Sequence, residues 1–244
     1  MSAKITILGS GTCQLEKDRM ASSVLIELGD LKLVFDFGRG VSQRITELGL
    51  KQDDVRNVFL SHFHPDHISD LIPFLHAACW SRIDKRKLDL HIYGPPGVKV
   101  MMMRLLSLFG GDDILSKEYD IQLHEISAGK FSINRQEFEM LYLPPASNHG
   151  LRFESSGKIC VLTGDSHFHD ALVDALRGVD LAVIDSGHLS DDEILNLAVQ
   201  SQARIIVCSH QYRELDEKVL GMAATSRGYR GKIVLARDLE PSNL

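Results

Sequence analysis

Between residues 61 and 67 the chain reads Ser-His-Phe-His-Pro-Asp-His, which sets His62, His64, Asp66 and His67 within six residues. A lone histidine is ordinarily a hydrogen-bonded core or surface residue, but this density is too high for an ordinary core. Imidazole and carboxylate are zinc ligands and also suit iron or manganese. On a short loop before a helix, alternate side chains can point to two neighbouring positions. His62 and His64 can serve one cation, Asp66 and His67 a second. Asp165, in Thr-Gly-Asp-Ser, carries two oxygens and can bridge them, and His210 completes the second position. The expected cofactors are two divalent metal ions, zinc first, with manganese or iron as alternatives. Such a pair polarises a scissile bond and supplies hydroxide at neutral pH.

These residues need scaffolding that brings distant stretches of chain together. Three apolar runs lead into them: Asn57–Ser61 into the histidine cluster, Ile159–Thr163 into Asp165, and Ile205–Cys208 into His210. Such runs are the mark of buried strands, and ligands at their ends converge on one sheet edge. Further strands are predicted at Lys4–Leu8, Val24–Leu28, Leu31–Asp36, Leu90–Tyr93, Gln136–Tyr142, Leu151–Glu154, Leu181–Ile184 and Lys232–Ala236. Helices are predicted at Val41–Leu48, Asp66–Trp80, Val98–Leu108, His169–Arg177 and Asp191–Gln200, the last with Ser190 as N-cap and Glu193 three residues on. Gly29-Asp30 marks a hairpin, and Pro95-Pro96-Gly97 and Pro144-Pro145 mark turns. Strands, then strand–helix units, then strands and strand–helix units again imply an α/β protein with two stacked sheets and helices outside.

The 244 residues suffice for one large domain, with 44% hydrophobic and 25% charged residues, ordinary for a globular protein. The net charge of −6 gives no help in gripping a nucleic-acid backbone. The basic run Arg82 to Lys87 reads as a solvated turn. Cys13, Cys79, Cys160 and Cys208 form no CxxC pair, so a reducing cytoplasm is expected. The chain carries no signal-peptide pattern and no run long enough to cross a membrane.

His62-Phe63-His64-Pro65-Asp66-His67 matches the HxHxDH motif of the metallo-β-lactamase superfamily, which the chain resembles over nearly its whole length. Leu8-Gly9-Ser10-Gly11-Thr12 resembles the opening turn and Val34-Phe35-Asp36-Phe37-Gly38 the following strand end. Ile92-Tyr93-Gly94-Pro95-Pro96-Gly97 resembles the GPxG element of the ribonuclease Z branch, and Gly187-His188-Leu189-Ser190 with Cys208-Ser209-His210 its closing segment. The resemblance implies a four-layer αβ/βα sandwich formed by residues 1-244 as a single domain, with a metal-dependent hydrolase site. His62, His64, Asp66, His67, Asp165 and His210 would be ligands, Asp66 also a proton acceptor for the attacking water. His188 would sit near the scissile phosphate and donate a proton or steady the developing charge.

Two departures stand out. The register of the family's third histidine on the first metal falls on Pro144, which binds no metal; His149 is the nearest replacement, with His167 and His169 behind it. The long basic arm that grips transfer RNA has no room either, since only Gly150 to Gly164 precede Asp165. The expected partner is therefore a small-molecule or short phosphodiester rather than transfer RNA, and a homodimer is the expectation carried by the family.

Other features carry less. Met101-Met102-Met103 reads as core packing with one exposed member, and His76 and Trp80 as packing on one helix face. Cys208 continues an apolar strand and is no nucleophile despite His210 nearby. Tyr212-Arg213 reads as a solvated turn or a contact to an anion. Two other functions compete with phosphodiester hydrolysis: hydrolysis of a lactone, thioester or other ester in the same fold, and metal binding without turnover.

Overall fold

The computed structural model describes residues 3–111, 118–144 and 148–243. Its first half builds one sheet. Strands β1 (Ala3–Gly9), β2 (Ser23–Leu28) and β3 (Leu31–Phe35) run antiparallel, joined between β2 and β3 by the predicted turn at Gly29. Strands β4 (Asn57–Phe59), β5 (Leu90–Gly94) and β6 (Ile121–Glu125) continue from β3 in parallel. The second half repeats the plan. Strands β7 (Gly129–Ile133), β8 (Gln136–Tyr142), β9 (His149–Ser155) and β10 (Lys158–Leu162) are antiparallel. Strands β11 (Leu181–Asp185), β12 (Ile205–Ser209) and β13 (Lys232–Leu235) follow in parallel. Strand β14 (Pro241–Asn243) returns to pair with β1, giving two seven-stranded sheets.

Alternation along the strands explains the layers. Ile5, Ile7, Val24, Ile26, Leu33 and Phe35 point from the first sheet towards Phe138, Met140, Leu151, Phe153, Cys160 and Leu162 of the second, forming the inner core. The opposite faces are covered by helices. On the first sheet lie α1 (Val41–Glu47), the single turn α2 (Pro65–Ile68), α3 (Leu71–Trp80) and α4 (Val98–Leu108). On the second lie α5 (Asp170–Leu176), α6 (Asp191–Ser201) and α7 (Glu217–Ser226). This is the expected αβ/βα sandwich, an α/β fold of four layers. Ser190 caps α6 in a reciprocal capping box with Glu193, as the spacing predicts.

The structure corrects several local expectations. The helix predicted over Asp66–Trp80 is two helices, broken at Ser69-Asp70, where the Asp70 N–H donates to the Phe37 carbonyl and its carboxylate accepts from Ser42 N–H. The basic run Arg82 to Lys87 is not wholly solvated. Arg86 is completely buried, its guanidinium donating to the carbonyls of Gln52, Val55 and Leu88 and lying over the rings of Phe74 and Tyr119. Trp80 is exposed rather than packed, as is His76. Of the methionines, Met102 is buried and Met103 exposed. Pro95-Pro96-Gly97 turns the chain into α4 as expected, whereas Pro145 lies outside the described residues. No helix among the described residues is long and apolar enough to cross a membrane, and all four cysteines are free thiols.

Candidate metal centre

The parallel strands deliver the site. Asp36 follows β3, His62 and His64 follow β4, Asp165 follows β10, Asp185 ends β11 and His210 follows β12. All therefore lie at the carboxyl ends of strands, where a sheet leaves its crevice open. Pro65 starts α2 immediately after His64, and that single turn carries Asp66 and His67 inward. Gly164, at φ +61°, lets the two sheets close around Asp165, because a Cβ there would strike the Ser61 side chain at 2.9 Å. Asp36 (φ 59°) and His210 (φ 52°) also adopt left-handed backbone without being glycine. Each such residue costs on the order of 1–3 kcal/mol, strain that folds tolerate where function needs the geometry.

Five imidazoles stand in a row. Ring centroids are 4.5 Å apart between His64 and His62, 4.2 Å between His62 and His67, 5.2 Å between His67 and His210, and 5.5 Å between His210 and His188. Asp165 and Asp66 flank the row. Asp165 Oδ1 lies 3.0 Å from His67 Nε2 and 3.6 Å from His210 Nε2, while Asp165 Oδ2 lies 3.6 Å from His62 Nε2. Asp66 Oδ2 lies 3.3 Å from His210 Nε2 and 3.9 Å from His67 Nε2.

Two buried carboxylates fix the orientation of four of these rings. A carboxylate can only accept, so His67 donates from Nδ1 to Asp36 (2.7 Å) and turns Nε2 inward. Ser61 donates its hydroxyl to Asp36 (2.8 Å) and accepts from His62 Nδ1 (2.9 Å), so the His62 Nε2 lone pair also faces inward. On the other sheet, Asp185 accepts from His188 Nδ1 (2.7 Å) and His210 Nδ1 (3.3 Å) and from the backbone N–H groups of Ser166, Gly187 and His188. Carboxylates behind ligating imidazoles are a regular feature of metal sites.

The charges follow from these contacts. Burial pushes the pKa of His62 down to about 4, with neighbouring His67 adding to the effect. For His67, burial opposes protonation, but the carboxylates of Asp36 and Asp165 outweigh it and hold the pKa well above its ordinary value. His210 is raised to about 9, its hydrogen bonds to Asp185 and Asp66 overcoming burial. Asp165 is also disfavoured as an anion by burial, yet His67, His210 and His62 hold its pKa far below the usual carboxylate range.

The donor set fits divalent cations. Buried His62 Nε2, His67 Nε2 and Asp165 Oδ1 have no hydrogen-bond partner and aim at one another, as ligand atoms do where a cation belongs. Three sets of possible ligand atoms lie within 4.8 Å of one another: His62, His64 and Asp165; Asp66, His67 and His210; and Asp165, Asp185, His188 and His210. The first two are the sets anticipated from spacing. His149 belongs to none of the three; its backbone N–H donates to Ser61 and its ring lies 5.5 Å from Tyr142. His169 instead caps α5, accepting from Leu172 N–H, while the His167 ring lies 5.4 Å from His188. Tyr212 stands edge-on to both His188 and His210, and Arg213 pairs with Asp191. Cys208 is buried, its thiol pushed up to about 12, which removes it as a nucleophile.

Residues 17–210 match the sequence model of the metallo-beta-lactamase superfamily. The chain belongs to this superfamily. As a metallo-beta-lactamase superfamily member it is 30% identical over 192 residues to a ribonuclease Z of Mycobacterium bovis, covering 74% of this chain and 69% of that one. Among solved structures it is similar to the metallo-beta-lactamase fold protein YhfI from Bacillus subtilis, with a TM-score of 0.83 and 19% identity over the full length of both chains. It is also similar to a diphosphatase of the PhnP family, with a TM-score of 0.74 and 19% identity over 99% of this chain and 98% of the other. At these identities the two structures speak for the superfamily fold.

Proposed function

We propose that this protein is a metal-dependent hydrolase of phosphodiesters, with His62, His64 and Asp165 holding one divalent cation and Asp66, His67, Asp165 and His210 a second. The observation that carries this reading is the set of inward-facing, unpartnered ligand atoms on His62, His67 and Asp165. Zinc suits the imidazole-rich donor set best, with manganese and iron as alternatives. Bound cations would polarise the phosphoryl oxygen and make water a nucleophile at neutral pH.

The protein's own groups carry the proton traffic. Asp66 Oδ2, on the floor of the row, accepts a proton from the attacking water. His188 stands at the far end of the row, half-buried, with its pKa raised by the hydrogen bond to Asp185. It donates from Nε2 to the departing oxygen, while Asp185 holds Nδ1 and steadies the imidazolium. A P–O bond forms to water oxygen, the P–O bond to the leaving alcohol breaks, and a phosphomonoester and an alcohol result. The names of two similar proteins, a ribonuclease and a diphosphatase, support phosphate chemistry. Between Gly150 and Gly164 the chain forms a hairpin that turns tightly at Ser156-Gly157, which supports a small or short substrate over transfer RNA. The free thiols are in keeping with a cytoplasmic setting.

The test is a panel of chromogenic phosphodiesters, lactones and thioesters, assayed after chelation and after reloading with zinc or manganese. Metal-dependent turnover of phosphodiesters that Asp66→Asn abolishes is expected. Turnover of lactones alone would overturn the substrate class. A second reading, metal binding without turnover, is favoured by Pro144 in the register of the missing histidine and by a first ligand set containing only two imidazoles. Bound metal with no hydrolysis of any ester would select it.

A further inference from the structure

The imidazole row has two chemically different ends. At one stand His188, Tyr212 and His167. At the other stands His64, and the residue before it, Phe63, leaves the row and turns its ring outward, half-buried, towards α4. There it meets Gly97, whose positive φ (+101°) starts α4 and whose missing Cβ would lie 3.5 Å from the Phe63 ring. From this point a trough of about 570 Å³ runs along α4. Its wall is one stripe of the helix: Val100, Arg104 and Leu108 at successive turns, with Met101 and Leu105 beside them. Val100 is 51% and Leu108 76% exposed, although the inner side of the same helix is buried through Val98 and Met102. Arg104 is the one cation in this wall among the described residues.

We propose that this trough is the subsite for the retained ester group of the substrate, and that this group is aromatic or otherwise apolar. The inference rests on the phosphodiester reading above. If His188 protonates the leaving oxygen, the leaving group lies at the His188 end. The retained group then points along the row to the His64 end, where Phe63 and α4 begin. The volume is that of a small-molecule pocket and its lining is apolar, which rewards a ring and not a sugar hydroxyl or a second phosphate. Arg104 gives the trough a positive charge beside an anionic phosphodiester, in a chain whose net charge is −6.

Phenyl 4-nitrophenyl phosphate and methyl 4-nitrophenyl phosphate test this, because they share a leaving group and differ only in what is retained. The readout is the ratio of kcat/KM for the two esters in the metal-loaded full chain. Comparing this ratio between wild type and variant cancels their intrinsic reactivity. Val100→Asp with Leu108→Asp, both at exposed positions, should cut the phenyl-to-methyl ratio about tenfold, close to 1.4 kcal/mol. Val100→Ile with Leu108→Met should keep the wild-type ratio. An unchanged ratio in the aspartate variant, with both esters still hydrolysed, would overturn the subsite and leave the hydrolase standing. A wild-type dimer that the aspartate variant converts to monomer in sedimentation, without any change in the ratio, would assign the face to a second copy and overturn it too. If metal-loaded wild type hydrolyses neither ester, the phosphodiester reading falls and the subsite with it.

Discussion

The Asp36 carboxylate meets Nδ1 of His67 at 2.7 Å with both side chains fully buried. The same carboxylate takes the Ser61 hydroxyl that receives His62 Nδ1, so one anion on the first sheet sets two imidazoles. Asp185 does the same on the second sheet for His210 and His188. Each pair has its ε-nitrogens free to face the crevice.

Replacing Asp36 by asparagine removes the charge that favours the inward-facing tautomer while keeping the shape. Cation affinity is expected to fall about 10- to 100-fold, the usual effect of losing a partner behind a ligating histidine. Titration calorimetry with zinc in a competing chelator measures it. Affinity unchanged within a factor of two would show that Asp36 does not orient the ligands.

Asp185→Asn should act on the other end of the row. Asp185 raises the pKa of His188, chiefly through their hydrogen bond. A proton donor works only below its own pKa, so activity is lost as pH rises through that value. With the carboxylate gone, the basic limb of the pH–kcat profile should move to lower pH. His188→Gln should lower kcat by roughly 10²- to 10⁴-fold and remove that limb. A limb that stays in place in Asp185→Asn would argue against His188 as the donor.

Stability without metal should peak near neutrality. His67 and His210 bind protons more tightly when folded, so the stability they give is complete below pH about 6.5 and is lost as pH rises, through about 9 for His210. His62 has the opposite sign: its folded pKa of about 4 means stability declines as pH falls from about 6.5 to 4. Below this, protonation of Asp66 and Asp165, both shifted down in the fold, removes more. Calorimetry of the chelated protein should therefore show Tm falling between pH 6.5 and 9. Zinc should reverse that slope, because cations compete with protons for the same nitrogens. A metal-free Tm that climbs steadily through this range would contradict these assignments.

Arg86→Met should destabilise the fold by on the order of 3 kcal/mol, because three buried carbonyls lose their donor at once. Urea unfolding measures the loss. The site lies elsewhere, so zinc affinity in the folded variant should match wild type.

The ligand cluster was legible because its density is chemically improbable in a core, and Asp165 and His210 because apolar strands run straight into them. Asp185 obeyed the same rule, ending the run from Leu181, but no neighbouring histidine pattern drew attention to it. Asp36 was visible only within a family-like strand end, since its partners lie 25 and 31 positions away. Strands β6 and β7 escaped notice because they lie at sheet edges, half-exposed, and lack a continuous apolar run. Helix α7 carries Gly221 mid-way and a thin apolar stripe, so its periodicity was weak, although Asp216 caps it twice over. Arg86 was misread because a sequence of charges says nothing about which member turns inward to satisfy distant carbonyls.

The ligand atoms are divided between the two sheets, His62, His64, Asp66 and His67 hanging from one and Asp165 and His210 from the other. Any cation seated among them is thus a rivet through a seam joining the halves of the chain. Its escape would be governed by how often that seam parts, so slow exchange with chelators should accompany slow proteolysis, and one condition that speeds the first should speed the second.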